Sequence, residues 1–263
     1  MLGSRRQPVE LQILLACAGI FLLGILVFFV TNPYAIAPEA ALRLEMGKLL
    51  LNGHLPYRDF IDADPPTMML LSAIPAFISA HCNCDIVLTA LICGITLAFV
   101  SAATSTYLIA KSELGENPYA VGCFAVACAS ISNLFIFQFA EREHLLIVLA
   151  LPYILLRWLR TSAIEIVIPR ALSQVIGLAA GLAFWLNLQY LLIPLILEIF
   201  FFLQNNKFAR LRAPEITACL TGLCLIPGYI AIHPTVCQVF CNLIVPLWFN
   251  NYSFPTDDHV KYL

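Results

Sequence analysis

Apolar blocks separated by short polar breaks run the length of this chain. Seven of them, residues 11–30, 86–110, 118–139, 145–160, 171–187, 188–203 and 215–233, are long enough, or nearly so, to cross a bilayer, which takes about 20 helical residues. Backbone groups in hydrocarbon must pair within their own segment, so each block predicts a helix. The adjoining blocks 171–187 and 188–203 must bend near Asn187-Leu188-Gln189. An eighth block, 67–80, is too short to span and predicts an interfacial or re-entrant helix. The first block follows Arg5 and Arg6 and reads as a retained span, its apolar run being too long for a cleaved leader.

The long polar interval, Pro38 to Pro66, separates the first span from the rest and carries Glu39, Glu45, Asp59, Asp62 and Asp64. Pro38 to Leu51 predicts an amphipathic helix. Pro38 suits the first helical position, and Leu42, Met46, Leu49 and Leu50 form one apolar face, expected to lie on the membrane surface. Glu39 and Arg43 pair at i, i+4, and Asn52-Gly53 marks the stop.

Charge sets the orientation. With 67–80 not crossing, the cytoplasmic side holds Arg5, Arg6, Lys111, Arg157, Arg160, Arg170, Lys207, Arg210 and Arg212, nine of the fourteen basic residues. The positive-inside rule therefore prefers seven crossings with a cytoplasmic N-terminus. The polar interval then lies within a first outer loop, 31–85. A second charged stretch, Glu141-Arg142-Glu143-His144, falls on the same outer side, as do Cys82, Cys84, Cys237 and Cys241, among which a disulfide is permitted by compartment.

Composition narrows the class. The chain is 61% hydrophobic and 11% charged, with a mean hydropathy of +0.88. Soluble domains carry roughly 25% charge, so the expected fold is all-α, one polytopic transmembrane bundle over 1–263. A net charge of -2 gives no reason to expect a nucleic-acid partner. No Walker, dinucleotide or serine-hydrolase motif is present. Two acidic clusters on one face suit acid–base work by carboxylates, a divalent cation held by oxygen ligands and a phosphate held by arginine. Glu198 is a lone carboxylate inside a span, as apt to pair with a neighbouring helix as to function.

The run Glu39 … Gly53-His-Leu-Pro-Tyr57-Arg58-Asp59 … Asp64-Pro65-Pro66 resembles the first outer loop of the GT-C glycosyltransferase superfamily. That superfamily includes protein O-mannosyltransferases, aminoarabinose lipid A transferases and RgtA/B/C/D-like bacterial membrane transferases. Phe139 to Leu145 is similar to its second outer loop, and the likeness covers roughly residues 10–230. It implies sugar transfer from a polyprenyl-phosphate donor at the outer face. Glu39, Glu141 and Glu143 would be catalytic acids, Arg58 and Arg142 would bind the phosphate, and Asp62, Asp64 and His144 would hold a metal. Where many relatives have an Asp-Glu pair, this chain has Pro38-Glu39. The chain is also about half the usual length, so the resemblance implies an N-terminal portion, with missing C-terminal helices supplied by a partner chain or lost in an inactive remnant. A flippase or transporter of lipid-linked sugars is the alternative; it requires charges near mid-membrane.

Overall fold

The computed structural model describes residues 37–134, 141–161, 166–205 and 213–249, together with scattered positions between 19 and 32. Helix dominates, and no strand occurs among the described residues. In chain order the helices are α1 (Pro38–Leu51), α2 (Pro66–Cys82), α3 (Ile86–Lys111), α4 (Pro118–Leu134), α5 (Arg142–Thr161), α6 (Arg170–Ala183), α7 (Leu192–Asn205), α8 (Pro214–Ile232), α9 (Pro234–Val239) and α10 (Val245–Phe249). A π-helical stretch, Phe240–Ile244, joins the last two.

Three of these, α3, α5 and α8, are long and apolar enough to cross a membrane. Their outer surfaces suit lipid rather than water. Phe99 and Val100 on α3 and Leu220 and Ile232 on α8 are all more than half exposed, a density of exposed large apolar side chains that a water-soluble surface rarely carries. The expected bend is present. Residues 184–186 and 188–191 form 3-10 turns on either side of Asn187, which is extended (φ -152°, ψ 138°), and its side chain accepts from the Gln189 N–H at 2.9 Å. Trp185 Nε1 donates to the Leu223 carbonyl at 2.7 Å and ties this bend to α8.

The tightest seam is α6 against α8. A Cβ at Gly177 or Gly181 would collide with the carbonyls of Glu215 and Cys219, and Gly222 meets Gly181 from the other side. Small residues let two backbones approach this closely. Beside the seam lies a core of Tyr153, Leu156, Leu159, Ile176, Ala180 and Phe184, all buried.

α1 begins at Pro38 and stops at Asn52-Gly53, with Gly53 at φ 84°, as the sequence predicts. The face it turns into the bundle shares only Met46 with the apolar face expected on the membrane surface. Ala40, Arg43, Leu44, Met46 and Gly47 face inward, whereas Leu42 is 57% exposed. Two contacts turn the helix. Gly47 lies against the backbone of Ser72 on α2, where a Cβ has no room, and Arg43 reaches inward to a buried carboxylate. A charged residue thus stands on the inward face beside Leu44 and Met46.

Candidate functional site: a carboxylate between two arginines

The loop between α1 and α2 is held by its own backbone and carboxylates. Tyr57 N–H donates to the Phe60 carbonyl at 2.7 Å, and Leu55 N–H donates to Asp59 Oδ2 at 2.8 Å. Arg58 donates to both oxygens of Asp59, at 2.9 and 2.8 Å. The Arg58 guanidinium, helped by the Leu55 N–H, pulls the Asp59 carboxyl down to about 2. Tyr57 itself has φ 62°, a conformation that costs a non-glycine residue about 1–3 kcal/mol. Its surroundings hold it there. The side chain is 3% exposed, its ring packs on Phe240, and its hydroxyl donates to the Asp64 carbonyl at 2.5 Å. Burial, with Asp62 and Asp64 nearby, pushes that hydroxyl's pKa well up, so Tyr57 remains a donor.

Asp64 is the centre of the site. It is 4% exposed. Arg43 Nη2 donates to Oδ2 at 2.8 Å, and Arg142 Nη1 donates to Oδ1 at 2.7 Å. Each arginine reaches on to a further carboxylate. Arg43 Nη2 also donates to Glu39 Oε2 at 3.2 Å, and Arg142 Nε donates to Glu143 Oε1 at 2.9 Å. The Tyr190 hydroxyl donates to the same Glu143 oxygen at 3.1 Å. A single chain of charged hydrogen bonds therefore runs from Glu39 on α1, through Asp64, to the start of α5. The two acidic stretches, 78 positions apart at Asp64 and Arg142, meet at one place.

The balance there is negative. Glu141 lies within electrostatic reach of Glu39, Arg43 and Glu143; burial first, then the Glu39 charge, raises its pKa. Asp62 is also raised, by burial and by the Asp64 charge. A carboxylate raised in the fold stabilises below its unfolded pKa of about 4, and that stability is lost as pH rises through the folded value. Asp62→Asn is accordingly expected to raise the melting temperature at pH 7 and to leave it unchanged near pH 4. A neutral-pH melting temperature that does not rise would show that Asp62 bears no such repulsion.

The structure brings Glu39, Asp62, Asp64, Glu141, Arg142 and Glu143 into this neighbourhood. Glu39 is 67% exposed and open to a reactant. The hydrogen bonds of Arg58 go to Asp59, outside the chain through Asp64. His144 is 1% exposed, inside the bundle. Asp62, Asp64 and His144, the expected metal-holding residues, are not gathered at one point among the described residues. Both Asp64 oxygens are taken by guanidinium groups, and among the described residues no three His, Cys, Asp or Glu side chains converge on a point. Cys82, Cys84, Cys237 and Cys241 are free thiols. Cys237 and Cys241, one helical turn apart, are hydrogen-bonded to each other.

Three residues that matter here are not among the expected site residues. Arg43 reads in the sequence as the i, i+4 partner of Glu39, Tyr57 as part of the loop motif, and Tyr190 as a helix–helix hydrogen-bonding residue, which its bond to Glu143 makes it. The only signal pointing to Arg43 was a charge one position from an apolar face.

A second ionic cluster lies at the far end of α5. Arg157, 2% exposed, donates to Glu198 at 2.8 Å from Nε and at 2.7 Å from Nη2. Glu215 is fully buried and accepts from Ser173 Oγ at 2.6 Å, with Arg160 Nε at 3.3 Å and Arg157 Nη1 at 3.6 Å. Glu198 thus pairs with a neighbouring helix. Compared with family models, with curated proteins and with solved structures, the chain matches none.

Proposed function

We propose that this chain is a membrane-embedded sugar transferase of the GT-C kind, drawing a sugar from a polyprenyl-phosphate donor at the outer face of a cell membrane. The observation that carries the reading is the meeting of two acidic stretches through Asp64 and Arg142 at 2.7 Å. In this reading the bundle crosses the membrane seven times with its N-terminus in the cytoplasm, and both stretches open to the outside. The acceptor hydroxyl attacks the anomeric carbon as the bond from that carbon to the phosphate oxygen breaks. The hydroxyl proton passes to a carboxylate, and the lipid phosphate leaves with the bonding pair. Glu141 suits the proton's destination, because its raised affinity for protons brings it toward working pH. Glu39 is the accessible second carboxylate. Arg142, 24% exposed at the edge of the cluster, is the cation that a leaving phosphate meets; Arg58 lies on the same loop as Asp64.

The test is transfer by the full chain, with any partner chain it assembles with, reconstituted with a lipid-phosphate sugar. Glu39→Ala with Glu141→Ala is expected to drop transfer below a tenth of the parent rate. Undiminished transfer by the double variant would end the assignment. A carrier of lipid-linked sugars is the second reading, favoured by the buried charges Arg157 and Glu215 inside the bundle. It predicts translocation that survives loss of Glu39 and Glu141.

A further inference from the structure

Between α1, α2, α3 and α5 lies a cavity of about 330 Å³, walled by Leu44, Leu71, Ile74, Ala90, Leu97 and Leu149, with Arg43 at its polar end. At about 30 Å³ for a water-sized group, it has room for on the order of ten chain carbons. Ile74 is 53% exposed, so the wall opens to the surroundings of the bundle on the α2 side. Arg43 is 5% exposed. Its Nη2 serves Glu39 and Asp64, while its Nη1 is buried without a hydrogen-bond partner. A buried donor with no acceptor is costly, and the empty space this side chain borders is the cavity.

We propose that the cavity takes one acyl chain of a glycerophospholipid, with the ester carbonyl of that chain accepting from Arg43 Nη1. Charge selects a neutral acceptor over an anion. Around Arg43 itself stand Glu39, Asp62, Asp64 and Glu141, four carboxylates against its one guanidinium. A phosphate or a free fatty carboxylate placed at Arg43 Nη1 would enter an already negative neighbourhood. An isoprenoid chain has no oxygen below its phosphate, so it would fill the apolar part and leave Nη1 unsatisfied. An ester carbonyl supplies one oxygen, uncharged, at the head of a saturated chain. This inference goes beyond the sugar-transfer reading and does not rest on it.

The test uses the full chain in nanodiscs with a phosphatidylcholine that bears a photoactivatable diazirine in its acyl chain. The captured peptide is expected to lie on α3 around Cys93, and Ala90→Phe, which fills the wall, is expected to abolish capture. Dipalmitoyl phosphatidylcholine should compete for the label. Its diether analogue, lacking the carbonyls, should compete about tenfold or more weakly, and a polyprenyl phosphate more weakly than the diester. Equal competition by diester and diether would overturn the proposal, as would capture unaffected by Ala90→Phe or stronger competition by polyprenyl phosphate. Loss of sugar transfer with capture intact would remove the transferase reading alone.

Discussion

Asp64→Ala is expected to destabilise the chain by about 3–5 kcal/mol, the range for breaking a buried ion pair from one side. The lost carboxylate neutralises two arginines, at 2.8 and 2.7 Å, from a position 4% exposed. Arg43 would keep only Glu39, whose side chain is 67% exposed and whose bond is long at 3.2 Å. Solvent screens such a contact, and exposed pairs contribute about 0–1 kcal/mol. Arg142 would keep Glu143. The main penalty therefore falls on Arg43, a buried cation without a buried partner. For a chain of this size each kcal/mol moves the melting temperature by roughly 2–4 °C, so the fall should be on the order of 10 °C in a thermal unfolding scan of the detergent-solubilised protein. Asp64→Asn should fall nearly as far, since an amide keeps the shape and loses the charge. A control separates clamp from surface: Asp59, whose partner Arg58 is half exposed, should change little on the same substitution. Equal losses at Asp59 and Asp64 would mean that Asp64 is not held between buried arginines.

What the sequence made legible follows from how far each signal reaches. Pro38, Asn52-Gly53 and Pro66 act on their own backbone, and the helices they bound begin and stop where local chemistry says. The bend at Asn187 is equally local: an amide side chain caps the next turn in place of a helical bond. Which side of α1 faces inward is a different kind of fact. It depends on Gly47 meeting Ser72 and on Arg43 finding Asp64, contacts across 21 or more positions that a 3.6-residue period does not register. Within lipid, moreover, leucine has no reason to face inward, so amphipathic periodicity loses its usual meaning. The candidate site was half legible. Clusters of carboxylates in an apolar chain announce themselves by rarity, and their meeting was an inference from both lying on one face. Arg58 and Arg142 were equivalent in sequence, yet Arg142 bonds across 78 positions to Asp64 while Arg58 folds onto its neighbour Asp59. Arg157 shows the converse. It counts as a cytoplasmic flank by order along the chain, but it lies buried between Glu198 and Glu215.

Glu215→Ala should give the second large loss, again about 3–5 kcal/mol. Glu215 is fully buried in the first turn of α8, where the helix N-terminus favours a carboxylate. It accepts from Ser173 Oγ and draws in Arg160 and Arg157. Without it Arg157 keeps only Glu198, Arg160 loses the carboxylate it faces, and the α6–α8 seam loses its Ser173–Glu215 bond beside Gly177, where the backbones are closest. The charges are individually costly to bury and offset one another, so removing them together should hurt less than removing one. Arg157→Met with Glu215→Met is expected to cost less than the sum of the two single substitutions, by about 0.5–3 kcal/mol of coupling. Thermal unfolding of the four proteins in one detergent measures that coupling directly. Additive single effects would mean that Arg157 and Glu215 do not share a network.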